Sequence, residues 1–112
     1  MKNLFDLKGK RVLITGAAQG ISFILAEGLG QYGAEIVVNN TTQQRADEAA
    51  EKLRQQGIIA TGYGFDVTDR QQVVSNIAAI EQQVGAIDVL INNAGVQRRH
   101  PFTEFPEEAG IK

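Results

Sequence analysis

The residues best suited to chemistry are a short glycine-spaced run and a few polar side chains that follow apolar segments. Gly16 and Gly20 stand four apart in "TGAAQGIS", directly after the apolar run "RVLI". A glycine at the end of a strand lets the backbone turn tightly and come close to a ligand. A helix that starts at the second glycine offers unpaired N–H groups and a partial positive charge, which together suit a pyrophosphate. The plainer alternative is an ordinary tight turn, and the strand-before, helix-after context weighs against it. No Lys-Ser or Lys-Thr pair follows Gly20, which argues against a nucleoside-triphosphate loop. Further along, the polar pair Asn40 and Thr41 closes the apolar run "EIVV".

Those segments alternate in period. "RVLITG" (11–16), "EIVVNN" (35–40), "IIATGYGFDV" (58–67) and "AIDVLINNAG" (86–95) read as strands with their exit loops. Between them lie helical patterns. The first starts at Ile21 and has Ile24, Leu25 and Leu29 as its expected inner stripe. The second has Ala46, Ala49, Ala50 and Leu53 inside and Thr41 or Thr42 as cap. The third has Val73, Ile77, Ile80 and Val84 inside and Thr68 as its expected cap. The two glycines within 58–67 weaken that segment as a strand. Ile87, Val89, Leu90 and Ile91 are apolar on both faces of the fourth strand, as in a strand covered on both sides. Alternation of this kind predicts an α/β fold, a Rossmann-type doubly wound parallel sheet of about four strands in the order 3-2-1-4.

Composition narrows the class. The 112 residues suffice for one domain. A net charge of −2 argues against a nucleic-acid partner, whose binding domains are usually basic. With no cysteine there is no thiolate nucleophile, and with His100 as the single histidine a metal site is not expected. No apolar run approaches a membrane span and the start lacks a leader pattern, so a cytoplasmic protein is the expectation.

"TGAAQGIS", "DV" at 66–67 and "NNAG" at 92–95 together resemble the short-chain dehydrogenase/reductase family, whose motifs fall at the same strand ends in the same order. Within it, "LFDLKGKRVLITG" and "NNAGVQRRHPFTEFPEE" resemble the gluconate 5-dehydrogenase group, which interconverts D-gluconate and 5-ketogluconate with a nicotinamide cofactor. The resemblance implies that Gly16, Gln19, Gly20 and Ile21 serve the pyrophosphate. It implies that Asp66 and Val67 hold the adenine, and that Asn93, Ala94 and Gly95 line the ribose and the approach to the nicotinamide. Ser22 stands where the family has a third glycine, so binding weakened but not abolished is expected. Asn40 and Thr41 replace the acidic residue that would repel a 2′-phosphate, and Arg45 follows one turn later. This favours NADP over NAD; a simple polar turn and helix cap is the alternative.

Arg98 and Arg99 follow the fourth strand and can grip a sugar-acid carboxylate by a bidentate fork, or form a solvated loop. The family's Ser-Tyr-Lys catalysis carries the signature Y-x-x-x-K. Tyr32 is followed at that offset by Ile36 and Tyr63 by Val67, so no catalytic residue is carried over. The expectation is therefore a partial dinucleotide-binding domain over 1–112, inactive alone, because "AGIK" departs from the family's next helix as a frameshifted, truncated or cut chain would. A cofactor-binding or edge-pairing module without catalysis, or a non-functional remnant, are the alternatives. An uncovered fourth strand would favour association through that edge.

Overall fold

The computed structural model describes residues 7–16 and 20–92. The elements are β1 (Arg11–Thr15), α1 (Gly20–Gln31), β2 (Glu35–Asn40), α2 (Gln43–Arg54), β3 (Ala60–Gly64), α3 (Arg70–Gln83) and β4 (Val89–Asn92). All strand pairs are parallel and the order is β3-β2-β1-β4, as the alternation predicts. Leu13 stands opposite Val37 on one side and Leu90 on the other.

Period-two alternation divides the strand residues between two cores. Val12, Ile14, Ile36 and Val38 face α1 and α2, where they meet Ala26, Ala49, Ala50 and Leu53. Leu13 and Val37 face α3 and meet Phe65 and Ile80, with Val73, Ile77 and Val84 packed around them. Each fully buried aliphatic side chain contributes about 1.5–3 kcal/mol, so the sheet centre supplies much of the driving force.

Three expectations are corrected. The expected inner face of α1 holds only at Leu29, which packs against the core; Ile24 and Leu25 are exposed. Ile24 is 65% exposed, and the buried residues are Ser22 and Ala26. With Gly30 they form a small-residue line at spacing four; a Cβ at Gly30 would lie 2.6 Å from Ile58 Cγ2, in the segment that leads into β3. The cap of α3 is Asp69, whose carboxylate accepts from the Gln71 and Gln72 amides. Thr68 instead closes a turn onto Asp66. The third strand is shorter than 58–67, because Ile58 and Ile59 lead into it and Phe65 leaves it to fill the α3 core. For α2, the cap is Thr42, whose hydroxyl accepts from Arg45 N–H at 3.2 Å.

The two outer strands end differently. Gln43 of α2 donates to Gly62 O and accepts from Gly64 N–H, both at 2.8 Å, and Arg54 donates to Ala60 O. The outer backbone of β3 is thereby engaged by side chains, which blunts an edge that would otherwise invite pairing. Among the described strands β4 pairs with β1 alone, and Val89 is 43% exposed. Arg11 fastens the lower end of this pair: its guanidinium donates to Glu35 and to Ala86 O, and its N–H to Asp88. No described helix is long and apolar enough to cross a membrane.

Candidate functional site

The four strands run parallel, so their C-terminal ends open on one crevice, where ligands of open α/β sheets lie. Its rim consists of Thr15 and Gly16, Asn39 and Asn40, Gly64 to Asp66, and Asn92. Gly16 leaves β1 at φ 67° and Gly20 enters α1 at φ 71°, both in the left-handed region that favours glycine. A Cβ at Gly20 would meet no heavy atom within 4 Å, so this glycine faces open space. The first amides of α1, from Gly20 onward, have no intrahelical acceptor and carry the positive end of the helix dipole. Ile21 beside them is 80% exposed, whereas Ser22 is buried against the sheet.

The N–H of Gly16 does not point out of this turn. It donates inward to Asn39 Oδ1 at 3.2 Å. Next to Asn39, Asn40 Oδ1 accepts from the Thr41 amide at 2.8 Å and from its hydroxyl at 3.3 Å. On the far side Asp66 is exposed, and its Oδ1 accepts from Thr68 N–H at 2.9 Å and from the Thr68 hydroxyl at 2.7 Å. These bonds, the hydroxyl's above all, hold the Asp66 carboxyl below its ordinary value of 3.8. The stabilisation they give is present above that value and is lost as pH falls through the lower, folded-state value. In Thr68→Ala the hydroxyl bond is gone, and an NMR titration should show the Asp66 midpoint moving up toward 3.8. An unchanged midpoint would show that the backbone bond alone sets it.

Val67 packs beside the α3 core, and Thr15, almost fully buried, donates its hydroxyl to Asn92 Oδ1 at 2.8 Å. Tyr63 sits on β3 and gives its hydroxyl proton to Gln83, away from the crevice. Gln19, Asn93, Ala94, Gly95, Arg98, Arg99 and His100 lie outside the described residues. A second open cleft, of about 650 Å³, lies at the opposite end of the sheet beside Lys8, Tyr32 and Ile59. The charged pair on its wall, Arg11 and Glu35, is joined at 2.9 Å.

Sequence reasoning missed Asn39 and Thr15. Both are polar residues at the last inward positions of otherwise apolar strands. A polar side chain buried there must find partners, and that requirement was the available signal.

Gly20 heads the first helix of a 3-2-1-4 parallel sheet, and Asp66 stands at the third strand's exit. The family pattern described as short chain dehydrogenase matches residues 10–112. This chain belongs to the short-chain dehydrogenase family. It is 56% identical over 108 residues to the 5-keto-D-gluconate 5-reductase of Escherichia coli (strain K12), covering 96% of this chain and 42% of that protein. It is 48% identical over 103 residues to the gluconate 5-dehydrogenase of Gluconobacter oxydans (strain 621H), covering 92% of this chain and 40% of that one. Among solved structures it resembles a gluconate 5-dehydrogenase from Burkholderia cenocepacia J2315 in complex with NADP and tartrate. That match has a TM-score of 0.78 and 46% identity, covering 90% of this chain and 40% of the other. The chain thus spans about two-fifths of the length of these short-chain dehydrogenases.

Proposed function

We propose that this chain is the cofactor-binding part of an NAD(P)-dependent sugar-acid oxidoreductase, and that NADP is its preferred cofactor. The observation that carries the reading is the crevice itself: Gly16 and Gly20 shape a turn at the head of α1, and Asp66 stands across the strand ends from it. The pyrophosphate would meet the α1 amides, the adenine would lie toward Asp66 and Val67, and the ribose would face Asn40 and Thr41. The Asn40 oxygen accepts from Thr41, so its NH2 group would be the part of the side chain that donates to a 2′-phosphate. A bound nicotinamide supplies or takes the hydride. The family's names for its relatives support a gluconate or keto-gluconate substrate, with Arg98 or Arg99 as candidate carboxylate anchors.

The residues of this chain bind and orient. They include no match to the family's Tyr and Lys, so binding without turnover is the reading for the chain alone. Titration with NADPH, followed by nicotinamide fluorescence, should give saturable enhancement with no oxidation of added gluconate. NADH should bind more weakly. Ser22→Gly, which removes a hydroxymethyl group from the tight contact of α1 with the sheet, should tighten NADPH several-fold. No saturation up to millimolar NADPH would overturn the reading, and tighter NADH binding would reverse the cofactor preference.

A further inference from the structure

We propose that Asn39 is a positioning residue of this crevice: its buried amide ties Gly16, where β1 ends, to the ends of β2 and β3, and so holds together the backbone at the strand ends that face the cofactor. The inference rests on the cofactor reading above and deepens it.

Asn39 is 2% exposed. Its Oδ1 accepts from Gly16 N–H at 3.2 Å. Its Nδ2 lies 3.0 Å from Asn40 O, 3.2 Å from Tyr63 O and 3.0 Å from Phe65 O, so two N–H groups are shared among three carbonyls. A buried amide is costly unless its bonds are made, and here every one goes to a main-chain group at the crevice rim. The β1–β2 register runs to Ile14 opposite Val38. Beyond it the Asn39 side chain supplies the next link, where β1 turns away toward α1. On the other side it holds Phe65 O, and Phe65 N–H itself donates to Asn40 O at 2.9 Å. Phe65 is the residue before Asp66. One side chain therefore touches both the residue that opens the phosphate turn and the residue that precedes the adenine-side carboxylate.

The identity of the residue matters as much as its burial. Leucine would fill a similar volume but leave Gly16 N–H and three carbonyls without this partner. Aspartate would keep the acceptor but turn a carboxylate toward three carbonyl oxygens, an environment that disfavours the charged form. As a neutral acid it regains one donor and one acceptor. Its penalty therefore shrinks as pH falls, and grows as pH rises through its raised folded-state value. The titratable side chains on the segments it touches are Tyr63 and Asp66. Burial raises the first above 10.0 and hydrogen bonds lower the second below 3.8, so neither changes charge between about pH 5.5 and 8.

The test uses the full chain as wild type, Asn39→Leu and Asn39→Asp, with two readouts. Amide hydrogen exchange should show Gly16 losing protection about tenfold or more in Asn39→Leu, while the ladder amides of β1 and β2 keep theirs. The NADPH dissociation constant should rise about tenfold in Asn39→Leu. In Asn39→Asp it should rise at pH 8 and recover toward wild type at pH 5.5; the ratio to wild type at each pH cancels titration of the cofactor itself. If Asn39→Leu fails to fold, the change in Asn39→Asp between pH 5.5 and pH 8, relative to wild type, carries the comparison. Gly16 exchange and NADPH affinity unchanged in both variants overturn the proposal. So does a uniform loss of protection with affinity per folded molecule unchanged, which is the mark of a purely structural residue. A wild-type chain that shows no NADPH binding overturns the cofactor reading instead, and Gly16 exchange then decides by itself whether Asn39 holds the turn.

Discussion

Gly62→Ala and Gly64→Ala are each expected to destabilise the fold by roughly 3 kcal/mol, the upper part of the range for overpacking a filled interior. The two glycines lie two apart on β3 and so share one face of the sheet. That face lies directly beneath the first turns of α2. A Cβ at Gly62 would sit 2.6 Å from the carbonyl carbon and oxygen of Ala46, and one at Gly64 would overlap the Gln43 backbone nitrogen. Main-chain atoms in a capped helix cannot swing aside as a side-chain tip can. The helix would have to lift, which breaks the Gln43 bonds to Gly62 and Gly64 and opens the core around Ala46, Ala49 and Leu53. Thermal unfolding should fall by more than about 10 °C in either variant. A change within 2 °C would show that α2 does not lie this close to β3.

Gly20→Asp is expected to lower NADPH affinity by about 100-fold, or roughly 2.7 kcal/mol, with a modest fall in melting temperature from the left-handed backbone at this position. Aspartate tolerates the left-handed backbone better than most residues, and the added Cβ would meet nothing within 4 Å. A carboxylate at the head of α1 is favourable for the empty helix. It is adverse for a bound pyrophosphate: at an effective dielectric near 20, two like charges 4 Å apart cost about 4 kcal/mol. Gly20→Asn carries the same backbone demand without the charge and should lose far less. Equal losses for the two would assign the effect to backbone or bulk. A loss under threefold for Asp would place the phosphates elsewhere.

The parts of this fold that rest on local periodicity were readable in the sequence. The strand–helix alternation gives the 3-2-1-4 sheet, and Val73, Ile77, Ile80 and Val84 do face it. The inner face of α1 was readable only at Leu29, because hydrophobicity picks the largest side chains whereas the most buried positions hold small ones. Ser22, Ala26 and Gly30 are read correctly only once the sheet beneath them is known. Gly62 and Gly64 misled in the same way: they lower strand propensity, yet their missing Cβ atoms make room for α2. Thr68 and Asp69 are both good caps, and what separates them is Asp66, which engages Thr68. At the crevice, motif spacing marked Gly16, Gly20 and Asp66. Beyond its neighbour Asn40, Asn39 makes its bonds to groups 23 to 26 residues away, and no short window contains them.

The position of β1 sets a schedule for the nascent chain. It lies between β2 and β4, and β2 follows it closely, but β4 ends at Asn92, about fifty residues after the end of β2. At 5–20 residues per second of synthesis, roughly 3–10 s pass in which one side of β1 has no neighbour. During that interval α2 can already engage the outer backbone of β3 through Gln43 and Arg54. The growing sheet therefore has one guarded flank and one waiting flank. The waiting flank closes when Thr15 reaches Asn92 and Arg11 reaches Asp88.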